Sequence, residues 1–102
     1  KKLDMSASIY KDKDYLLCHD DKIEKRKIAY VLYLATLKKI NGGSLNLFSS
    51  ENSKPCRIAK KISPKENSFV MFEVSSASFH EVEEVVGSAE RIAISGWFYD
   101  GN

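Results

Sequence analysis

Short apolar runs separated by turn-forming residues constrain the fold of this chain more than any other feature. Eight such runs fit within 102 residues, and nearly all have the length of a β-strand. They are Leu3–Tyr10, Tyr15–His19, Lys27–Leu37, Leu45–Phe48, Arg57–Ile62, Ser68–Val74, His80–Val85 and Arg91–Tyr99. The segments between them have turn or loop compositions: Lys11–Asp14, Asn41-Gly42-Gly43, Ser49–Pro55, Ser63–Asn67 and Gly87–Ala89.

The run Lys27–Leu37 predicts a central strand buried on two sides, because it is apolar on both faces. Its length would also allow a helix, but the β-formers Tyr30, Val31 and Tyr33 weigh against one. No segment shows a convincing helical stripe. Eight short strands with uneven loops predict an all-β fold, a cupin-like jelly roll or double-stranded β-helix. Sandwiches and barrels share the same pattern.

The composition indicates one soluble globular domain, with 43% hydrophobic and 29% charged residues. No apolar run has bilayer-spanning length, so we expect no membrane association. A net charge of +2 is too small to argue for nucleic-acid binding. Cys18 and Cys56 lack the spacing of a zinc knuckle or disulfide framework, which favours a reducing intracellular location, cytoplasm and/or nucleus. The chain begins with Lys1 and has no signal-peptide pattern, so we expect a segment of a longer protein.

His19 and Asp21 form the first candidate site. Residues two apart on a strand point to the same side, so both side chains can converge on one point while Asp20 faces away. A His-x-Asp triplet is common by chance, and what favours a site here is its position at the end of an apolar run.

His80 is the only other histidine in the chain. Two imidazoles and one carboxylate leave adjacent positions of an octahedral iron open, as oxygen activation requires. Taken alone, His80 also fits a core histidine satisfied by a neighbouring group.

Arg91 follows His80 by eleven residues. If His80 and Arg91 begin neighbouring antiparallel strands joined by Gly87-Ser88, both side chains can point into one cavity. A buried guanidinium needs a carboxylate partner, which the far carboxylate of 2-oxoglutarate would supply. Tyr33 could add a phenol hydrogen bond to that carboxylate, although core packing and, for Arg91, a surface position remain open.

With these residues assembled, the sequence resembles the 2-oxoglutarate- and Fe(II)-dependent oxygenases that hydroxylate a prolyl residue of a small-subunit ribosomal protein. This family is associated with translation termination and polyadenylation. SFHEVEEV followed by RIAISGWF is specific, because it joins a metal histidine, an arginine anchor and a tryptophan at the family spacing. The similar stretches cover over half of the chain and are Tyr15–Leu34, Gly42–Phe48 and Phe69–Phe98.

The resemblance implies a role for each candidate residue, with residues 1–102 as a single catalytic core. The implied iron ligands are His19, Asp21 and His80. Arg91 and Tyr33 are expected to grip the distal carboxylate of 2-oxoglutarate, and Tyr10 to line the pocket. Trp97 shares strand parity with Arg91, so it either faces the cavity or packs in the core, and Cys18 is expected to pack rather than to react.

The resemblance also implies the reaction and its participants. Fe(II) and 2-oxoglutarate are the implied cofactors, with ascorbate as a candidate third, and dioxygen is consumed as succinate and CO2 form. The implied partner is a protein substrate, a prolyl residue of a ribosomal protein hydroxylated at C3. Two alternatives stay open: the same chemistry on another substrate, or a non-catalytic β-sandwich that acts as an interaction module in a translation or mRNA complex.

Overall fold

The computed structural model describes residues 3–23 and 25–100. Within them lie eight β-strands and one short 3-10 turn, Lys39–Asn41. The strands are β1 Leu3–Tyr10, β2 Leu16–His19, β3 Arg26–Tyr33, β4 Leu45–Glu51, β5 Lys54–Ile62, β6 Phe69–Glu73, β7 His80–Val82 and β8 Arg91–Tyr99. No helix in this part of the chain has the length and apolarity needed to cross a membrane.

The strands form two four-stranded sheets that are antiparallel throughout. The major sheet has the order β1-β8-β3-β6 and the minor sheet the order β2-β7-β4-β5. Each hydrogen-bonded pair from β1-β8 to β4-β5 joins strands progressively closer along the chain, as in a folded hairpin. This is the jelly-roll arrangement, so the predicted all-β, eight-stranded double-stranded β-helix is confirmed.

Strand boundaries were predicted well at the ends of the chain and less well in the middle. Leu3–Tyr10 and Arg91–Tyr99 match the observed strands. The predicted loop Ser49–Pro55 is wrong, because only Asn52 and Ser53 turn the chain there. Both have positive φ, 53° and 62°, which suits a two-residue hairpin loop. The polar residues around this turn belong to exposed strands, and polarity alone made them resemble a loop.

β3 is central in the major sheet, as predicted, but it ends at Tyr33 rather than Leu37. Its partner β6 begins only at Phe69, so the β3–β6 pairing ends before Tyr33. The backbone of Tyr33 forms hydrogen bonds with the connecting loop instead. The expectation of burial on both sides holds only in part. Ala29 and Tyr33 are buried on the inward face, whereas on the outward face Tyr30 is buried but Ile28 and Leu32 are half-buried.

The core lies between the two sheets and leaves a cavity. The minor sheet contributes bulky buried side chains such as Leu45 and Val82, while the major sheet contributes the small Ala29 and Ala93. Small inward residues opposite large ones leave space that the sheets cannot close. The resulting cavity has a volume of about 320 Å³, within the usual range for a small-molecule site.

Candidate metal centre and cavity

His19, the last residue of β2, turns its imidazole into the cavity. Its Nδ1 lies 2.7 Å from the carbonyl oxygen of Leu17, and its Nε2 lies 3.0 Å from Oδ1 of Asp21. A carbonyl oxygen only accepts hydrogen bonds, so Nδ1 carries the proton of the neutral ring. The Nε2 lone pair of that tautomer then faces the cavity, as a metal ligand requires.

His80 repeats this arrangement from the other side of the site. It begins β7, and its Nδ1 lies 2.8 Å from the carbonyl oxygen of Ser78. Its Nε2 lies 3.1 Å from Oδ2 of Asp21. Phe72 packs against the imidazole with ring centroids 4.8 Å apart, and the side chain is only 7% exposed. Two fixed imidazoles therefore present equivalent nitrogens to one carboxylate.

Asp21 reaches this position by a route that the sequence did not predict. β2 ends at His19, and Asp21 has a φ of 62°, so the strand parity assumed for the pair does not apply. Aspartate is one of the few residues that tolerate this left-handed region. The turn still carries the carboxylate between the two imidazoles, so the predicted convergence is found although its predicted cause is wrong.

The three side chains together form a candidate ligand set for a divalent cation. One ligand atom from each of His19, Asp21 and His80 lies within 4.8 Å of the others. Two imidazole nitrogens and one carboxylate oxygen, with space beside them, form the donor set of non-haem Fe(II) oxygenases. The chemistry of the donor set therefore fits iron(II), with no other protein ligand needed.

The pKa shifts of Asp21 and His19 also favour the binding of a cation between them. Burial alone would raise the pKa of Asp21, but hydrogen bonds with His19 and His80 outweigh it and hold that pKa far below its usual range. The hydrogen bond to Asp21 in turn raises the pKa of His19. The carboxylate is thus ionised and attracts a positive charge, supplied by a proton on imidazole when no metal is bound.

Arg91 faces this cluster and is almost completely buried, with 3% exposure. Its Nε donates a 2.8 Å hydrogen bond to the carbonyl oxygen of Gly43, and Nη2 donates a 3.4 Å bond to the hydroxyl of Tyr33. In residues 3–23 and 25–100, no carboxylate forms an ion pair with this guanidinium. A buried cation without an anionic partner is costly, so the site is suited to an anionic ligand.

Tyr33 and Tyr10 flank this guanidinium, and their positions differ. The guanidinium carbon lies 5.3 Å from the ring centre of Tyr10 and 5.2 Å from that of Tyr33. Tyr10 lines the cavity. Tyr33 is fully buried beside Arg91 and is absent from the cavity wall. Burial raises the pKa of Tyr33, while Arg91 acts in the opposite sense, so the phenol stays protonated at neutral pH.

The predicted strand relation between His80 and Arg91 is wrong. β7 lies in the minor sheet and β8 in the major sheet, so the link through Gly87 crosses from one sheet to the other. His80 and Arg91 nevertheless line the same cavity, because they face each other across the sandwich. A crossing of this kind cannot be read from spacing alone, since eleven residues fit a hairpin equally well.

Three side chains near the cluster were missed or left undecided from sequence. The indole of Trp97 donates a 3.2 Å hydrogen bond to Oδ2 of Asp21, and Arg26 lies over that indole. Ser78 donates a 2.6 Å hydrogen bond to the carbonyl oxygen of Asp20. Strand parity with Arg91 was a signal for Trp97, whereas nothing in the sequence distinguished Arg26 or Ser78 from surface residues.

Comparison with known proteins identifies relatives of this arrangement. The model of the 2OG-Fe(II) oxygenase superfamily matches residues 5–99. The prolyl 3-hydroxylase OGFOD1 of Xenopus laevis is 45% identical over 102 residues, which are 97% of this chain and 20% of that protein. The chain thus spans about a fifth of the length of this curated relative.

Solved structures share the fold at lower sequence identity. A prolyl-4-hydroxylase of Pseudomonas putida superimposes with a TM-score of 0.78 at 23% identity, covering 97% of this chain and 53% of that one. A prolyl hydroxylase of Trichoplax adhaerens, in complex with a hypoxia-inducible factor peptide fragment, gives a TM-score of 0.80 at 24% identity. That match covers 98% of this chain and 45% of the other. Both likenesses show a common double-stranded β-helix.

Proposed function

This chain belongs to the 2OG-Fe(II) oxygenase superfamily, and on that premise we propose that it hydroxylates a prolyl residue of a protein substrate. The observation that carries the proposal is one cavity lined by His19, Asp21 and His80, with Arg91 across from them. These residues come from three separate segments of the chain, and the fold brings them together around one cavity.

In this proposal His19, Asp21 and His80 hold iron(II), and Arg91 holds the distal carboxylate of 2-oxoglutarate. Iron with 2-oxoglutarate and dioxygen supplies the oxidising power that no side chain has. The side chains supply position and charge. Arg91 offers its guanidinium to a carboxylate through paired N–H donors, and the protonated Tyr33 hydroxyl keeps that guanidinium in place. The deep position of Arg91 sets how far the co-substrate enters.

The apolar cavity wall protects the reaction. Phe72, Val82 and Leu45 line the cavity beside the metal cluster, and their side chains offer no hydrogen-bond partner to water. Excluding water strengthens each charge pairing inside the site. It also keeps the oxidising power directed at the bound substrate rather than at solvent.

The substrate is the finer part of the proposal. The Xenopus relative is named a prolyl 3-hydroxylase, which supports a prolyl residue as the target and C3 as the position. The resemblance of the sequence to enzymes acting on a small-subunit ribosomal protein supports that protein as the partner. Such a substrate fits an enzyme of the cytoplasm or nucleus.

An assay of peptide oxidation tests this function. The protein is incubated with iron(II), 2-oxoglutarate and dioxygen, with and without ascorbate, and with prolyl-containing peptides of the small-subunit ribosomal proteins. We expect succinate and a peptide heavier by one oxygen atom, located on proline by tandem mass spectrometry. The matched control is Asp21→Asn, since asparagine tolerates the left-handed backbone but lacks the charge.

Three outcomes separate the alternatives. Oxidation of lysyl peptides or alkylated bases, with prolyl peptides untouched, would keep the chemistry and reject the substrate. Equal succinate formation by the Asp21→Asn variant would reject the metal site. A protein that binds neither Mn(II) nor 2-oxoglutarate would instead match an interaction module without catalysis.

A further inference from the structure

Trp97 is the one tryptophan of the chain and makes a contact that the proposed function does not use. It lies on β8 of the major sheet, and its Nε1–H donates a 3.2 Å hydrogen bond to Oδ2 of Asp21. Asp21 follows β2, at the edge of the minor sheet. This hydrogen bond therefore connects the two sheets at the metal cluster itself.

We infer that Trp97, braced by Arg26, is a positioning residue that orients the Asp21 carboxylate for metal binding. The inference rests on the proposed function, because it assumes that the cluster binds a metal. Trp97 is not a catalytic residue in this account, since its indole is argued to act through Asp21.

The first argument is the type of donor. Each imidazole already donates through Nδ1 to a backbone carbonyl, so its Nε2 must give up any contact with Asp21 when it turns its lone pair to a metal. The indole N–H can donate but can never bind a metal. Among the described side chains, Trp97 is the only donor to the Asp21 carboxylate that metal binding leaves in place.

The second argument is the backbone of Asp21. The residue lies beyond the end of β2 and has a φ of 62°, so no strand ladder fixes its direction. A carboxylate on such a turn would rotate freely without a side-chain restraint. A hydrogen bond from the opposite sheet to Oδ2, the oxygen that faces His80, fixes the rotation of the carboxylate and keeps Oδ1 facing His19.

The third argument is the bracing of the indole. The Arg26 guanidinium carbon lies 3.5 Å from the ring centre of Trp97, and Nη1 donates a 3.4 Å hydrogen bond to the backbone oxygen of Asp21. The β3–β8 register shifts between Arg26 and Ile28, and such irregularities redirect side chains. Among the described residues the buried Arg26 Nε has no hydrogen-bond partner, so the contacts that hold this guanidinium are those with the indole and the Asp21 backbone.

The test compares metal binding in matched variants. Trp97→Phe keeps an aromatic ring for Arg26 and removes the N–H donor, together with one of the two fused rings. Tyr30→Phe is the control, because it removes a 2.8 Å cross-strand hydrogen bond to the Asp4 carbonyl away from the cluster. Mn(II) affinity is measured by electron paramagnetic resonance without 2-oxoglutarate, and the d–d absorption of the Co(II)-loaded protein reports the ligand geometry.

We expect Trp97→Phe to weaken Mn(II) binding on the order of 10- to 100-fold and to change the Co(II) spectrum. Tyr30→Phe is expected to lower the melting temperature with affinity and spectrum unchanged. Unchanged affinity and spectrum in Trp97→Phe would overturn the inference while leaving the metal site intact. Failure of the unsubstituted protein to bind Mn(II) would instead reject the proposed function.

Arg26→Leu provides a second measurement should Trp97→Phe not fold. Leucine covers the indole but neither stacks as a cation nor bonds to the Asp21 backbone. Weaker Mn(II) binding than in the unsubstituted protein, with a changed Co(II) spectrum, supports bracing by Arg26. Unchanged Mn(II) binding and an unchanged Co(II) spectrum in this variant would contradict it.

Discussion

The protonation of His19 and Asp21 sets how the metal-free protein responds to pH. The hydrogen bond with Asp21 raises the pKa of His19 above 6.5, so its stabilising contribution is present below 6.5 and is lost as pH rises through the raised value. The pKa of Asp21 is lowered from 3.8, so its contribution is present above 3.8 and is lost as pH falls. Between pH 3.8 and 6.5 both residues therefore contribute to the stability of the folded protein.

We therefore predict opposite pH trends for the metal-free and metal-bound protein. The melting temperature without metal should fall as pH rises from about 6 to 8, because the pair loses its proton. With saturating Mn(II) it should rise over the same interval, since the proton competes with the metal for His19. Differential scanning fluorimetry in both states measures this, with Asp21→Asn as the variant expected to lose both trends. Parallel trends in the two states would contradict the assignment.

At this scale the sequence predicted which residues meet but not how they are held. His19, Asp21, His80 and Arg91 do line one cavity. The left-handed turn at Asp21 was not predicted, because aspartate in a loop is compatible with several backbone conformations. The Trp97 contact depends on which strands face each other across the sandwich, and local pattern does not contain that information.

Gly43 lies just before the start of β4 and contacts Arg91 of the candidate site. It precedes β4 with a φ of 73°, and its carbonyl accepts the Arg91 hydrogen bond. A Cβ there would lie 2.8 Å from Leu37 Cδ2 and 3.4 Å from Arg91 Cδ. A side chain at this turn would therefore meet both backbone strain and close side-chain neighbours, and glycine avoids both.

We predict that Gly43→Ala weakens 2-oxoglutarate binding as well as stability. Gly87→Ala is the matched control, because Gly87 has a φ of 90° and its nearest neighbour would lie 3.6 Å away. Both variants should lose about 1 kcal/mol of unfolding free energy from backbone strain. Only Gly43→Ala should lose more, and only it should weaken 2-oxoglutarate binding to the Mn(II)-loaded protein by calorimetry. Equal binding by both variants would show that Arg91 does not depend on this turn.

Strand β7 is only three residues long. On the face of the minor sheet that points away from the cavity, a network of polar side chains links it to β4 by hydrogen bonds. Asn46 is fully buried, and its amide donates 2.8 Å hydrogen bonds to Glu81 and to Glu83. Lys61 on β5 pairs with Glu83. The network lies beside the strand that carries His80, and no sequence pattern indicated it beyond scattered polar residues.

We predict that Asn46→Ala destabilises the protein by about 2 kcal/mol, because two carboxylates lose a buried donor. Ser49→Ala removes an exposed hydrogen bond to Arg57 on the same strand pair and should cost under about 0.5 kcal/mol. Urea denaturation monitored by Trp97 fluorescence measures both. Equal midpoints for the two variants would show that the network contributes nothing beyond an ordinary surface contact.

Strand boundaries were hardest to predict from the sequence where the strands are polar. β1 and β8 alternate clearly and were bounded correctly. β5 is exposed along nearly its whole length, so it lacks the buried face that makes a strand recognisable. The same reason explains the loop wrongly predicted around Asn52. A hairpin whose two faces are both exposed to solvent has a polar composition, which resembles that of a loop.

The molecule as a whole divides the site between its two sheets. His19 and His80 lie on β2 and β7 of the minor sheet, while Tyr33 and Arg91 lie on β3 and β8 of the major sheet. A chelating co-substrate held by both groups would therefore span the sandwich. The sequence predicted a jelly roll from strand number, but the pairing of strands remote in the chain emerges only when all eight are placed together.

This division predicts that metal and co-substrate stabilise the fold cooperatively. Mn(II) alone joins groups near the minor sheet, and 2-oxoglutarate alone meets only Arg91, so each should raise the melting temperature modestly. Together they connect the sheets through one ligand, and their combined rise should exceed the sum of the separate rises, as positive coupling requires. Arg91→Lys should keep the Mn(II) effect and lose the added effect of 2-oxoglutarate, because lysine lacks the paired donors of a guanidinium. Purely additive shifts would mean that the two ligands bind independently, and the sheets would then not be linked through the site.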